Sequence, residues 1–199
     1  MIVKSLKKIP RKSEYLVTID STDYKFKENI VVKYRLVKNK EIDNETLKMA
    51  ISENDFESIY LKTERYVINY SKSEKEVIRY LKKKEIDNLT INKIIAKLRQ
   101  LNLIDDTNLV EALIYSYIKK YNGIKLIEEK LKQKGIDYDL IDSSLNNIDY
   151  DTYYLYLNKL YEKIKNRYDK YDSYIRKNKI KKYLLSRGYT YSDIEKLGI

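Results

Sequence analysis

The chain has 199 residues, with 41 Lys plus Arg against 30 Asp plus Glu, a net charge of +11, no His and no Cys. The usual imidazole base, a thiol nucleophile, thiolate metal sites and a disulfide framework are therefore excluded. No apolar run approaches the roughly 18 residues of a membrane span, and four glycines with one proline, Pro10, favour helix over a turn-rich β architecture.

The first segment, residues 1–56, begins without the apolar core of a signal peptide, so a cytoplasmic protein is expected. Tyr15, Val17 and Ile19 alternate with Leu16, Thr18 and Asp20. Tyr24, Phe26 and Glu28 then alternate with Lys25 and Lys27. This pattern predicts a β-hairpin turning at Asp20-Ser21-Thr22-Asp23. A short helix is expected over Ile30 to Leu36, a turn at Lys38-Asn39-Lys40, and a helix through Leu47 and Ile51 capped by Asp43 or Asn44. Together these make a small α/β extension.

A different organisation takes over at residue 57. The phrase Val77-x3-Leu81-x2-Lys84-x-Ile86-x4-Ile91 returns without a gap as Ile127-x3-Leu131-x2-Lys134-Gly135-Ile136-x4-Ile141. It returns again as Ile180-x3-Leu184-x2-Arg187-Gly188-Tyr189-x4-Ile194. Self-similarity at such a period marks repeated supersecondary units. Within the phrase, residues three and four apart share one helical face. Gly135 and Gly188 stand where a helix stops in the left-handed conformation that glycine adopts at no steric cost. Glu85 occupies that place in the first copy, which predicts a different cap or strain there.

A long helix precedes each copy. Val110, Leu113, Ile114, Tyr117, Ile118 and Tyr121 form the stripe of the middle one, and Asp105 and Asp106 stand where a carboxylate caps its first turn. Tyr60, Tyr66, Val67 and Tyr70 mark the first, and Leu155, Leu160, Tyr161 and Ile164 the third. The expected fold is mainly α: three tandem three-helix repeats at 57–104, 105–149 and 150–199, in an elongated curved array. Such modules are too small to bury much surface alone and must lean on their neighbours.

The charge is uneven. Residues 150–199 carry 12 basic against 6 acidic side chains, six of the eleven excess charges. A one-sided basic region suits a polyanion or an acidic protein surface. The short second helices carry Asp137, Asp139, Asp142 and Ser143, or Asn88 and Asn92, a poor surface for phosphate. The cations lie on the preceding helices, at Lys82, Lys83 and Lys84, at Lys125, Lys130 and Lys132, and at Lys177, Lys179, Lys181 and Lys182. The contact candidates are Lys125, Lys132, Arg176, Lys179, Lys181, Lys182 and Arg187, with Arg187 also readable as a helix cap. Most of the 22 tyrosines read as amphipathic core and boundary residues rather than stacking platforms. The dispersed glycines form no phosphate loop or dinucleotide fingerprint. No enzyme, cofactor or metal is expected.

Two ordered stretches resemble the RecX family of recombination regulators. Leu103-Ile104-Asp105-Asp106, then a long helix, then Lys134-Gly135-Ile136, is similar to that family's central signature. Leu184-Leu185-Ser186-Arg187-Gly188-Tyr189-Thr190-Tyr191-Ser192-Asp193-Ile194 is similar to its closing one. The likeness covers about residues 57–199. In this chain Leu109 and Val110 stand near the place of the family's Phe-Ala after the paired aspartates, and lysines replace many arginines, losing the bidentate fork. The resemblance implies a non-enzymatic modulator that binds the RecA recombinase filament on DNA and inhibits its growth, ATP hydrolysis and strand exchange; a monomer is expected. The residues alone leave a second reading open, a basic helical-repeat protein that binds DNA without the recombinase.

Overall fold

The structure, a computed structural model, describes residues 1–199. It divides into two compact units, 1–66 and 67–199. The first holds an antiparallel sheet in the order β1-β2-β3, from Val3–Lys8, Glu14–Ile19 and Thr22–Lys27. In the hairpin Tyr15 pairs with Phe26 and Val17 with Tyr24. Alternation puts Val17, Ile19 and Phe26 on one face, where they meet Ile30, Val31, Leu36, Leu47 and Ala50 in a closed core.

Three details depart from the sequence reading. The hairpin turn is tighter, since Thr22 and Asp23 already pair with Ile19 and Thr18. Strand β1 was not expected, because a register shift between Val3 and Ser5 breaks its alternation. Helix α1 spans Glu28–Lys33, not Ile30 to Leu36, and Leu36 is buried beyond its end. The next helix, α2, runs from Asn44 to Tyr70 across the division between the units. Asp43 caps it, accepting from the Thr46 amide at 2.6 Å.

In the second unit the end of α2 is followed by α3 (Glu74–Lys82) and α4 (Asn88–Gln100). Next come α5 (Asp106–Lys119), α6 (Ile124–Lys134) and α7 (Tyr138–Asn146). The last triplet is α8 (Tyr150–Lys165), α9 (Ser173–Ser186) and α10 (Tyr191–Glu195). Every apolar position of the phrase from its first helix is buried: Val77 and Leu81, Ile127 and Leu131, Ile180 and Leu184. The long-helix stripes are only partly as read. Tyr70 and Leu155 are exposed, while Tyr153 and Leu157 lie in the core.

The helix stops are left-handed in all three copies, with φ +59° at Glu85, +79° at Gly135 and +86° at Gly188. Glycine is needed at the second and third for a further reason. A Cβ on Gly135 would lie 2.8 Å from the Cβ of Lys75, and one on Gly188 would lie 2.4 Å from the Cβ of Leu126. The stop of each later triplet is thus pressed against the first turn of the preceding triplet's middle helix.

Candidate partner-binding surface

The surface is built on those joints, because they fix which cations are spent on structure. At the first joint Ser73 caps α3 in a reciprocal box with Glu76. Its hydroxyl also donates to the Lys134 carbonyl at 2.6 Å. Arg79 adds bonds to the carbonyls of Gln133 and Lys134 at 3.1 and 3.0 Å. Lys134 reaches back to Glu76 at 3.1 Å. Burial opposes ionisation of Glu76, but the Ser73 amide and the Lys134 ammonium outweigh it and hold the carboxyl below the usual range. Asp106 accepts from the Glu74 amide at 3.0 Å, so it caps the neighbouring α3 and not its own helix. Burial pushes its carboxyl up. Asp105 is the cap of α5, accepting from the amides of Thr107 and Asn108.

At the second joint the backbones themselves meet. The amides of Gly123 and Lys125 donate to the carbonyls of Arg187 and Gly188 at 2.8 and 3.1 Å. These are first-turn donors and last-turn acceptors, which each helix would otherwise leave to water. The Tyr153 hydroxyl donates to the buried carboxylate of Asp193 at 3.0 Å and accepts from the Ile124 amide at 3.4 Å. Burial and that carboxylate drive the phenol far above its ordinary pKa.

The candidate cations divide accordingly. Arg187 donates to the carbonyls of Tyr121 and Lys120, closing α5 from the next triplet. Arg176 pairs with Asp169 at 2.6 Å and donates to the Lys165 carbonyl, closing α8. Lys132 pairs with Glu128 at 2.5 Å. Lys179 lies half-buried over the Tyr171 ring, 4.5 Å from its centroid. Lys125 and Lys182 are exposed and Lys181 half-exposed, and none of the three has an ion-pair partner. Four candidates, Arg176, Lys179, Lys181 and Lys182, share α9; Lys125 and Lys132 sit on α6. The inter-triplet roles of Arg79 and Asp106 were missed, since contacts across more than thirty residues leave no local signal in sequence.

No group of His, Cys, Asp and Glu side chains is arranged to hold a metal ion, and no helix is long and apolar enough to cross a membrane. Fold and surface together define a helical-repeat protein whose modules present charge. Residues 151–197 match the family described as RecX, third three-helix domain. The chain is 32% identical over 180 residues to the regulatory protein RecX of Clostridium tetani, covering 88% of this chain and 79% of that one. It is 33% identical over 164 residues to the one from Clostridium beijerinckii, covering 80% and 76%. The crystal structure of RecX from Lactobacillus salivarius matches with a TM-score of 0.67 at 30% identity, over 72% of this chain and 94% of that one. The chain belongs to the RecX family of regulatory proteins.

Proposed function

We propose that the protein binds the RecA recombinase filament on DNA and restrains its growth, ATP hydrolysis and strand exchange, thereby regulating recombination and DNA repair. It acts as a cytoplasmic monomer without catalysis of its own, and its three modules divide as 57–104, 105–149 and 150–199. The observation that carries this reading, beside family membership, is the set of partnerless cations Lys125, Lys181 and Lys182 on a repeat scaffold. Several small contacts spread over linked modules gain by effective concentration on a repetitive partner. Lys179, Lys132, Arg176 and Arg187 flank them, and also hold structure together.

The test reverses Lys179, Lys181 and Lys182 to Glu and follows inhibition of DNA-dependent ATP hydrolysis by the recombinase. Inhibition should weaken while helicity stays unchanged. A pair variant, Lys181→Glu with Lys182→Glu, spares the Lys179–Tyr171 contact and should behave alike. A folded variant that inhibits as well as the parent would remove α9 from the interface. A parent that never inhibits, yet binds naked DNA tightly, would favour DNA binding without the recombinase.

A further inference from the structure

The two joints between triplets are built on one plan but filled differently. Aligned on their N-caps, Asp105 and Asp149, Ala112 of α5 stands where Tyr156 stands in α8. Aligned on the phrase, Ser71 at the corner before α3 stands where Tyr121 stands before α6, and both have positive φ, +43° and +59°. At the second joint the rings of Tyr121 and Tyr156 meet edge to face with centroids 6.0 Å apart. The cleft between α5, α7 and α8 near that joint is about 190 Å³, lined by Ile114, Tyr115, Ile118, Ile148, Asp149 and Thr152 among others and by neither ring.

At the first joint the two ring positions hold a hydroxymethyl and a methyl group. The result is an open groove of about 830 Å³, lined by Val67, Ile68, Ser71, Leu109, Ala112 and Leu113 among others. Ile68 is 61% exposed there, whereas its counterpart Ile118 is 4% exposed. The rim carries Asn102 and Ser71, whose side chains make no hydrogen bond within the chain. Apolar surface of this kind, bounded by free polar groups, marks an interaction site more often than a packing fault.

We infer that this groove docks an aromatic side chain, tyrosine or phenylalanine, carried by a protein partner. The chain's own second joint supplies the template: the same helix corner and the same helix face close over aromatic rings. Asn102 and Ser71 are placed to meet a phenol hydroxyl, and a buried aromatic anchor in a pocket is the usual centre of a protein interface. The inference rests on the reading that the partner is a protein, the recombinase filament, and it gives that partner an apolar anchor in addition to charge.

Two measurements separate the groove from the function. In the first, p-cresol is titrated into methyl-labelled protein and followed by NMR. The methyls of Val67, Ile68 and Leu113 should shift saturably in the parent, and not in the double variant Ser71→Tyr with Ala112→Tyr, which copies the second joint. In the second, the double variant should inhibit the filament's ATP hydrolysis about tenfold less potently than the parent, about 1.4 kcal/mol of binding. Should it fail to fold, Ala112→Arg, at an exposed helical position, obstructs the groove instead. Unmoved methyls in the parent overturn the inference whatever the filament shows. Equal inhibition by parent and folded filled variant overturns the docking role. A parent that does not inhibit at all sinks the proposed function, and the p-cresol titration then decides the groove alone.

Discussion

One backbone angle recurs at Glu85, Gly135 and Gly188, and its cost depends on the side chain there. A left-handed residue with a Cβ costs roughly 1–2 kcal/mol. Glycine avoids this and gives back about 0.5–1 kcal/mol in unfolded-chain entropy. Glu85→Gly should therefore stabilise the protein by about 0.5–1 kcal/mol, read from urea unfolding midpoints at unchanged slope. Gly135→Ala should destabilise it by about 1 kcal/mol or more, because the strain is joined by the Lys75 contact at 2.8 Å. No change at either position would mean that the backbone there is not left-handed in solution. The stop was legible because a glycine after a basic last turn is a local signal. That Gly135 and Gly188 also need room for a neighbouring helix was not, since Lys75 and Leu126 lie far off in sequence.

Helices were legible where an apolar stripe met a cap, and less so where one was missing. Leu131 and Leu184 could be placed in the core from spacing alone, and both are fully buried. Replacing either by Ala should cost about 2–5 kcal/mol in equilibrium unfolding. In the third long helix the reading favoured Leu155 and overlooked Tyr153, because tyrosine suits core and boundary equally. Tyr153 ties α8 to α6 and α10, so its ionisation is linked to folding. Its folded pKa is raised, so the folded protein keeps a proton that the unfolded chain releases near pH 10. Its contribution is complete below about pH 10 and declines as pH rises further, by at most about 1.4 kcal/mol per pH unit. Tyr153→Phe lacks this ionisation. The stability difference between parent and variant should shrink above about pH 10; a constant difference would show that the phenol is not buried. Tyr60, pushed up to about 12, adds to the same alkaline loss in the first unit.

At the scale of the whole molecule the repeat told how many modules there are and what each is made of. It did not tell how they join, because the joints use capping groups that local reading assigns to their own helices: Asp106 and Arg187 each serve a neighbour. This reassignment alters the functional expectation. The count of 41 Lys plus Arg overstates the cations free to meet a partner, since Arg176, Arg187 and Lys132 are already engaged. The remaining attraction is carried by exposed cations, and exposed charges are screened over about 8–10 Å at 0.10–0.15 M salt. Inhibition of the filament should therefore weaken as salt rises, but modestly, with the groove beside Ala112 supplying a salt-insensitive part. Replacing Lys181 and Lys182 by Gln should flatten the salt dependence, whereas Ser71→Tyr with Ala112→Tyr should lower potency equally at every salt concentration. Measuring inhibition of ATP hydrolysis from low to high salt for all three proteins checks both statements. A salt slope unchanged by the Gln pair would show that the attraction lies elsewhere on the chain.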